Sequence, residues 1–135
     1  MKRPPTDLEI PNEIYNRHYD AFAAYSTEVP NRASKIYVPI DLDGIGDKLG
    51  VDPDIVFGRL YYHLNHKYGY RKDDGLNVSL FAPAAGKDQD CVNFPLVASI
   101  LADLRQENQK FWLATIIAVF SLFVSAASII ISVYD

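Results

Sequence analysis

Charge is absent from one long stretch of this sequence. Between Phe111 and Val133 there is no Asp, Glu, Lys or Arg, and no Gly or Pro to break a helix. Wound as an α-helix, that stretch is about 35 Å long at about 1.5 Å per residue. The hydrocarbon core of a bilayer is about 30 Å thick, so the stretch crosses it with modest tilt. The remaining chain is too short to wrap such a helix on every face, which excludes a buried core helix. Cysteine is nearly absent. Cys91 is alone, so there is no internal disulfide, a reducing compartment is suited, and a small buried apolar role is expected. The start, Met1-Lys2-Arg3-Pro4-Pro5, lacks an apolar run after its charges, which excludes a signal peptide there. Basic residues are outnumbered, 13 against 17 acidic, for a net charge of −4. That balance suits neither a general nucleic-acid binder nor a domain drawn to an anionic leaflet by charge.

Motifs for chemistry are also missing. His18 and Cys91 form no local catalytic motif, and His63-x-x-His66 has no Cys-rich or acidic companion to complete a metal site. The Gly44-x-Gly46-x-x-x-Gly50 spacing is not that of a dinucleotide loop, and the chain is too short for a doubly wound sheet. The expectation is therefore a protein that is not an enzyme, with no cofactor, no metal and no catalytic residue. Internal repeats and low-complexity tracts are absent too.

The apolar stretch has membrane flanks. Phe111 and Trp112 open it and Tyr134 closes it, aromatic at both interfaces. Arg105 and Lys110 precede it, and only Tyr134 and Asp135 follow. The Lys/Arg bias predicts a single-pass, tail-anchored membrane protein with its N-terminal domain in the cytoplasm and the bilayer as one partner.

Ahead of the span the pattern changes several times. Residues 1–11, with Pro4, Pro5 and Pro11, read as a flexible lead-in. From Asn12, a candidate cap, to about Tyr25 the spacing of Tyr15, Tyr19 and Phe22 predicts a helix. Lys35 to Ile40 alternates as a strand, with Pro39 implying an edge or an end. Asp43 to Leu49 is a short helix closed by Gly50. Asp52 caps a second, with Pro53 in its first turn and Val56, Leu60 and Leu64 on its buried face, ending near Tyr68-Gly69. A hairpin is predicted over residues 70–81 around Asp73-Asp74-Gly75. Ala82 to Asp90 reads as a loop, Cys91 to Phe94 as a further short strand. Pro95 opens a helix that runs through a juxtamembrane section, residues 95–110, into the span, residues 111–133.

The run from Ile45 to Leu60, Ile-Gly-Asp-Lys-Leu-Gly-Val-Asp-Pro-Asp-Ile-Val-Phe-Gly-Arg-Leu, resembles the helix-turn-helix of bacterial transcription regulators. Ile45 and Leu49 stand at the anchoring positions of the first helix, Gly46 where the helices approach, and Gly50 and Val51 in the turn. Val56 and Leu60 anchor the second helix. With a helix before, a strand between and a hairpin after, the order is that of a winged-helix domain, and the resemblance covers about residues 12–82. It implies an α+β fold: a small winged-helix-like domain, residues 12–94, followed by a long helix that becomes a single transmembrane span.

The resemblance fails where such a domain would read DNA. The start of the second helix should enter the major groove with polar or basic residues. Here it carries Asp52, Pro53, Asp54, Phe57 and Gly58, and carboxylates facing phosphates repel. Arg59, His63, His66 and Lys67 form a mildly basic stripe farther along, with Arg71-Lys72 in the predicted wing. Phe57, Tyr61 and Tyr62 suit a protein partner better, since aromatics dominate contact hot spots. The candidate interaction residues are thus Phe57, Arg59, Tyr61, Tyr62, His63 and Lys67.

In the span, Ala114, Ala118, Ser121, Ser125, Ser128 and Ser132 recur at heptad spacing, a seam of small residues that allows close helix packing with itself or another span. Extended backwards it meets Phe111, Glu107, Leu104, Ile100 and Val97, and predicts a short coiled coil below the membrane. Three functions are consistent with these features. The first is a tail-anchored, self-associating adaptor or sensor that binds a cytoplasmic protein. The second is a membrane-tethered DNA-binding regulator, with nucleic acid the disfavoured partner. The third is a small membrane-acting effector that self-associates through its span.

Overall fold

The structure, a computed structural model, describes residues 2–134. The chain divides into two units, residues 1–101 and residues 102–135.

In the first unit, α1 (Glu9–Ala23) starts about one turn earlier than Asn12. The Thr6 hydroxyl accepts from the Glu9 N–H at 3.1 Å, and the Glu9 carboxylate accepts from the Thr6 N–H at 3.2 Å. This reciprocal capping box satisfies two donors that a bare helix end leaves unpaired. Ile10 and Pro11 are buried, so residues 9–11 belong to the fold rather than to a flexible lead-in. Pro11 misleads as a breaker: in a first turn no intrahelical donor is required of it. At the other end Arg32, 7% exposed, donates to the carbonyls of Ala21 (3.0 Å), Phe22 (3.3 Å), Ser34 (2.8 Å) and Lys35 (2.9 Å). Its charge also complements the C-terminal dipole of α1.

β1 (Tyr37–Pro39) is shorter than the alternating run, with Val38 inward and Pro39 last. α2 (Leu42–Leu49) is capped by Asp41, which accepts from the Gly44 N–H, and ends at Gly50 in the left-handed region at φ 73°. α3 (Pro53–Gly58) is capped by Asp52 at 2.8 Å from the Asp54 nitrogen. It passes into a π-helical segment, Arg59–Leu64, and then α4 (Asn65–Tyr68). Val56, Leu60 and Leu64 are buried as their spacing predicted.

The hairpin assignment needs correcting. β2 (Tyr70–Arg71) and β3 (Asn77–Val78) do pair around Gly75, but only two residues on each side take part. The longer hairpin lies where a loop was expected: β4 (Phe81–Ala85) pairs with β5 (Asp88–Asn93) around Gly86 and Lys87. Ala82-Pro83-Ala84-Ala85 has weak strand propensity. It forms a strand because the sheet order is β1-β5-β4, which puts Pro83 on an edge where a missing donor is tolerated. β5 lies between its two antiparallel partners and buries Cys91 and Val92. These join Ile10, Ile14, Ile45, Leu60, Leu64 and Phe81 in one core. Phe94 stacks on Phe22 at 4.7 Å and on Tyr15 at 5.5 Å.

α5 (Phe94–Tyr134) begins in the first unit. Val97, Ile100 and Leu101 are buried there. That removes Val97 and Ile100 from the predicted juxtamembrane coiled coil, because their own domain already covers them. In the second unit α5 is the single helix among the described residues that is long and apolar enough to cross a membrane. The most apolar part has a mean hydropathy of 2.6, and none of it is buried.

Candidate functional site

The most densely connected polar cluster is built on the helix that follows the α2–α3 turn. In a regular α-helix, residues four apart drift by about 40° around the axis. The π-helical segment, with its i→i+5 bonding, widens the turn there. Arg59, His63 and Lys67, spaced by four, all reach one carboxylate, that of Asp7 in the turn before α1. Arg59 forms a short contact with Asp7 and donates through Nε to the carbonyl of Pro5 at 3.1 Å. Lys67 Nζ lies 3.0 Å from Asp7 Oδ2. His63 Nε2 lies 3.2 Å from the same oxygen. A carboxylate only accepts, so Nε2 carries the proton in this contact. Burial alone would push the Asp7 carboxyl up. Hydrogen bonds from Lys67 and His63, with the charges of His63 and Arg59, outweigh it and hold the group below its ordinary value of 3.8. Lys67 is raised above 10.5, first by its hydrogen bond to Asp7.

The basic stripe is therefore not a uniformly solvated face. Asp7, which nothing in its local sequence marks, draws in three of its members. The spacing of Arg59, His63 and Lys67 was visible, but their partner more than 50 residues away was not. His66, Arg71 and Lys72 are exposed and outside this cluster.

The aromatic residues separate. Phe57 is half-buried, edge-on to Phe81 at 5.4 Å and stacked on Tyr61 at 5.5 Å. It supports the surface from below. Tyr61 and Tyr62 are 43% and 75% exposed and meet edge to face at 5.0 Å. Ile55, 46% exposed, joins the exposed residues of this helix; sequence reasoning missed it, although it stands one position off the buried row of Val56, Leu60 and Leu64. Ile55 lines an apolar groove of about 260 Å³ with Lys2, Pro4, Val51 and Asp52. Asp52 and Asp54 are exposed at the start of α3.

Two further groups have structural explanations. His18 Nε2 accepts from the Asp41 N–H at 3.1 Å. Cys91 is buried in β5; burial, then the charges of Asp88 and Asp90, push its thiol up, which makes it a poor nucleophile. Along α5, Ala114, Ala118, Ser121, Ser125, Ser128 and Ser132 are all exposed. The Ser128 hydroxyl donates to the Val124 carbonyl at 3.0 Å, within its own helix. Compared with known proteins, the chain matches no family profile, no curated protein and no solved structure.

Proposed function

We propose that this chain is a single-pass membrane adaptor or sensor whose N-terminal domain, winged-helix-like and on the cytoplasmic side, docks a protein partner through the exposed face of the α3–α4 helix. The observation that carries the reading is a division on that helix. Arg59, His63 and Lys67 are engaged by Asp7, while Tyr61 and Tyr62 stand in solvent. Exposed paired tyrosines offer rigid amphipathic contact area of the kind that anchors protein interfaces. The order α1, β1, α2, α3–α4, β4, β5 supports the winged-helix resemblance, with the wing at Phe81–Asn93 rather than at residues 70–81. Arg105 and Lys110 before the apolar stretch support the cytoplasmic placement.

The second reading, a membrane-tethered DNA regulator, draws on the α2–α3 turn, where Asp41, Gly50 and Asp52 adopt the expected capping geometry. Against it stand Asp52 and Asp54, exposed at the helix start, where carboxylates would face phosphates. A photo-cross-linking residue at position 62 in the full chain, in native membranes, tests the first reading. It should give a discrete cross-linked protein that the same residue at exposed position 73 does not. Equal labelling from both positions, or submicromolar salt-dependent retention of random duplex DNA by the full chain in nanodiscs, would turn the assignment to the second reading.

A further inference from the structure

The Asp7 cluster has the form of a recognition site whose ligand happens to be covalently attached. We infer that Arg59, His63 and Lys67 form a carboxylate-binding site for an acidic segment of the partner protein, and that Asp7 fills it as an internal substitute. The inference rests on the protein-partner reading above and gives that partner a chemistry.

Three features support it. First, recognition has two points. Arg59 holds the backbone carbonyl of Pro5 at 3.1 Å, and the three side chains hold the carboxylate two residues on. A peptide supplies both groups; a free anion supplies one. Second, charge is unbalanced. A single carboxylate faces both a guanidinium and an ammonium, so the cluster keeps positive charge with Asp7 in place, and the cations prevail over burial in setting its ionisation. Third, the site opens to solvent. The side chains of His63 and Lys67 are 46% and 50% exposed, so an external carboxylate reaches them without crossing the core. The segment carrying Asp7 lies largely at the surface, with Lys2, Arg3, Pro4 and Thr6 exposed and Pro5 buried, and the Thr6–Glu9 capping box ties it to the start of α1. Asp7 itself, with its side chain 21% exposed, lies in the turn ahead of α1, so an incoming carboxylate competes with it at the surface. Tyr61 and Tyr62 lie in the same π-helical segment as Arg59 and His63.

The test uses the full chain in nanodiscs with Asp7→Ala, which vacates the site. The probe is the synthetic peptide Pro-Pro-Thr-Asp-Leu-Glu, the sequence of residues 4–9, with its Asp-to-Asn version and inorganic phosphate as controls. Binding is read from the His63 imidazole and Arg59 Nε resonances. The Asp peptide should bind the variant at least tenfold more tightly than it binds the wild-type chain. It should also bind at least tenfold more tightly than the Asn peptide, and Arg59→Gln in the same background should abolish it. Equal binding of the two peptides overturns the inference, as does phosphate competing as well as the peptide. Should Asp7→Ala not fold, Asp7→Asn keeps the side-chain shape, removes the charge and is judged by the same ratios. A position-62 cross-link that survives Arg59→Gln with Lys67→Gln would sink the acidic-segment site and leave the protein-partner reading standing. Loss of the position-62 specificity in the unmodified chain would remove that reading itself.

Discussion

The backbone N–H of Asp41 donates to Nε2 of His18 across 3.1 Å. Only a neutral imidazole accepts there, and the bond holds the residue whose carboxylate caps α2 at Gly44. Burial, then the charge of Arg17, depresses the His18 ionisation below 6.5, against weaker opposing effects of Asp41 and Glu13. The unfolded chain therefore takes up the proton first. The stability this contributes is complete above about pH 6.5 and is lost as pH falls through the depressed folded value. Thermal unfolding of the full chain in micelles should move to lower temperature from pH 7.5 to 5.5. His18→Gln, whose amide oxygen still accepts, should flatten that dependence. The same slope in both proteins would remove His18 as its source.

Gly46 and Gly58 should respond in opposite ways to alanine. A Cβ on Gly46 would lie 2.8 Å from the Val51 carbonyl oxygen and 3.1 Å from the Pro53 nitrogen, both backbone atoms of the turn. Overpacking of this kind costs about 1–3 kcal/mol. At Gly58 the nearest atom to a new Cβ is a Tyr62 ring carbon at 3.8 Å, an ordinary contact, and alanine in a helix gains about 1 kcal/mol over glycine. Chemical denaturation of the two variants checks the sign of each. A neutral Gly46→Ala would mean that the α2–α3 turn relaxes more readily than its geometry implies.

Removing the charge of Asp7 should loosen the start of α1 first. Asp7→Asn keeps the shape but leaves Arg59 and Lys67 facing a neutral amide. Hydrogen bonds to charged groups are worth about 1.5–3 kcal/mol, and the partial exposure of Asp7 favours the lower end. Hydrogen exchange at residues 6–10 should speed up more than at residues 56–64. Added salt should narrow the difference between variant and wild type, because screening already weakens the contact. Uniform acceleration throughout the domain would make the cluster a general stabiliser rather than a local clasp.

The parts of the fold set by local rules were legible. The α2–α3 turn follows from Asp41, Gly50, Asp52 and Pro53, whose capping and backbone preferences act within three or four residues. The buried row of Val56, Leu60 and Leu64 follows from helical period. What was not legible depended on distant partners. β4 is a strand because β5 offers it a ladder, despite Pro83 and three alanines. The engagement of Arg59, His63 and Lys67 depends on Asp7, and the burial of Val97 and Ile100 on the domain beneath them. The capping box of Thr6 and Glu9 was local and still passed over, because Pro11 was weighed as a breaker.

The apolar part of α5 should associate through its small-residue face. Ala114, Ala118, Ser121, Ser125, Ser128 and Ser132 keep one register along about five turns. Small side chains let two backbones approach closely in lipid, where dispersion and interhelical hydrogen bonds replace the hydrophobic effect. The serines are not equivalent. The Ser128 hydroxyl donates within its own helix to Val124, so the seam should lean more on Ser121 and Ser125, each contributing about 0.6 kcal/mol where it bonds across a contact. Replacing Ser121 and Ser125 with Leu keeps the segment apolar enough to insert and wedges the backbones apart, so association should fall while insertion persists. Leu at Ile117 and Phe123, off the seam, should matter less. Cysteine cross-linking along the helix is the direct measurement. Peaks at Ala118, Ser121 and Ser125, about 3.5 residues apart, would locate the contact on this face. A flat profile, or maxima at Ile116 and Phe123, would make the register a coincidence of composition and leave self-association without a basis in the span.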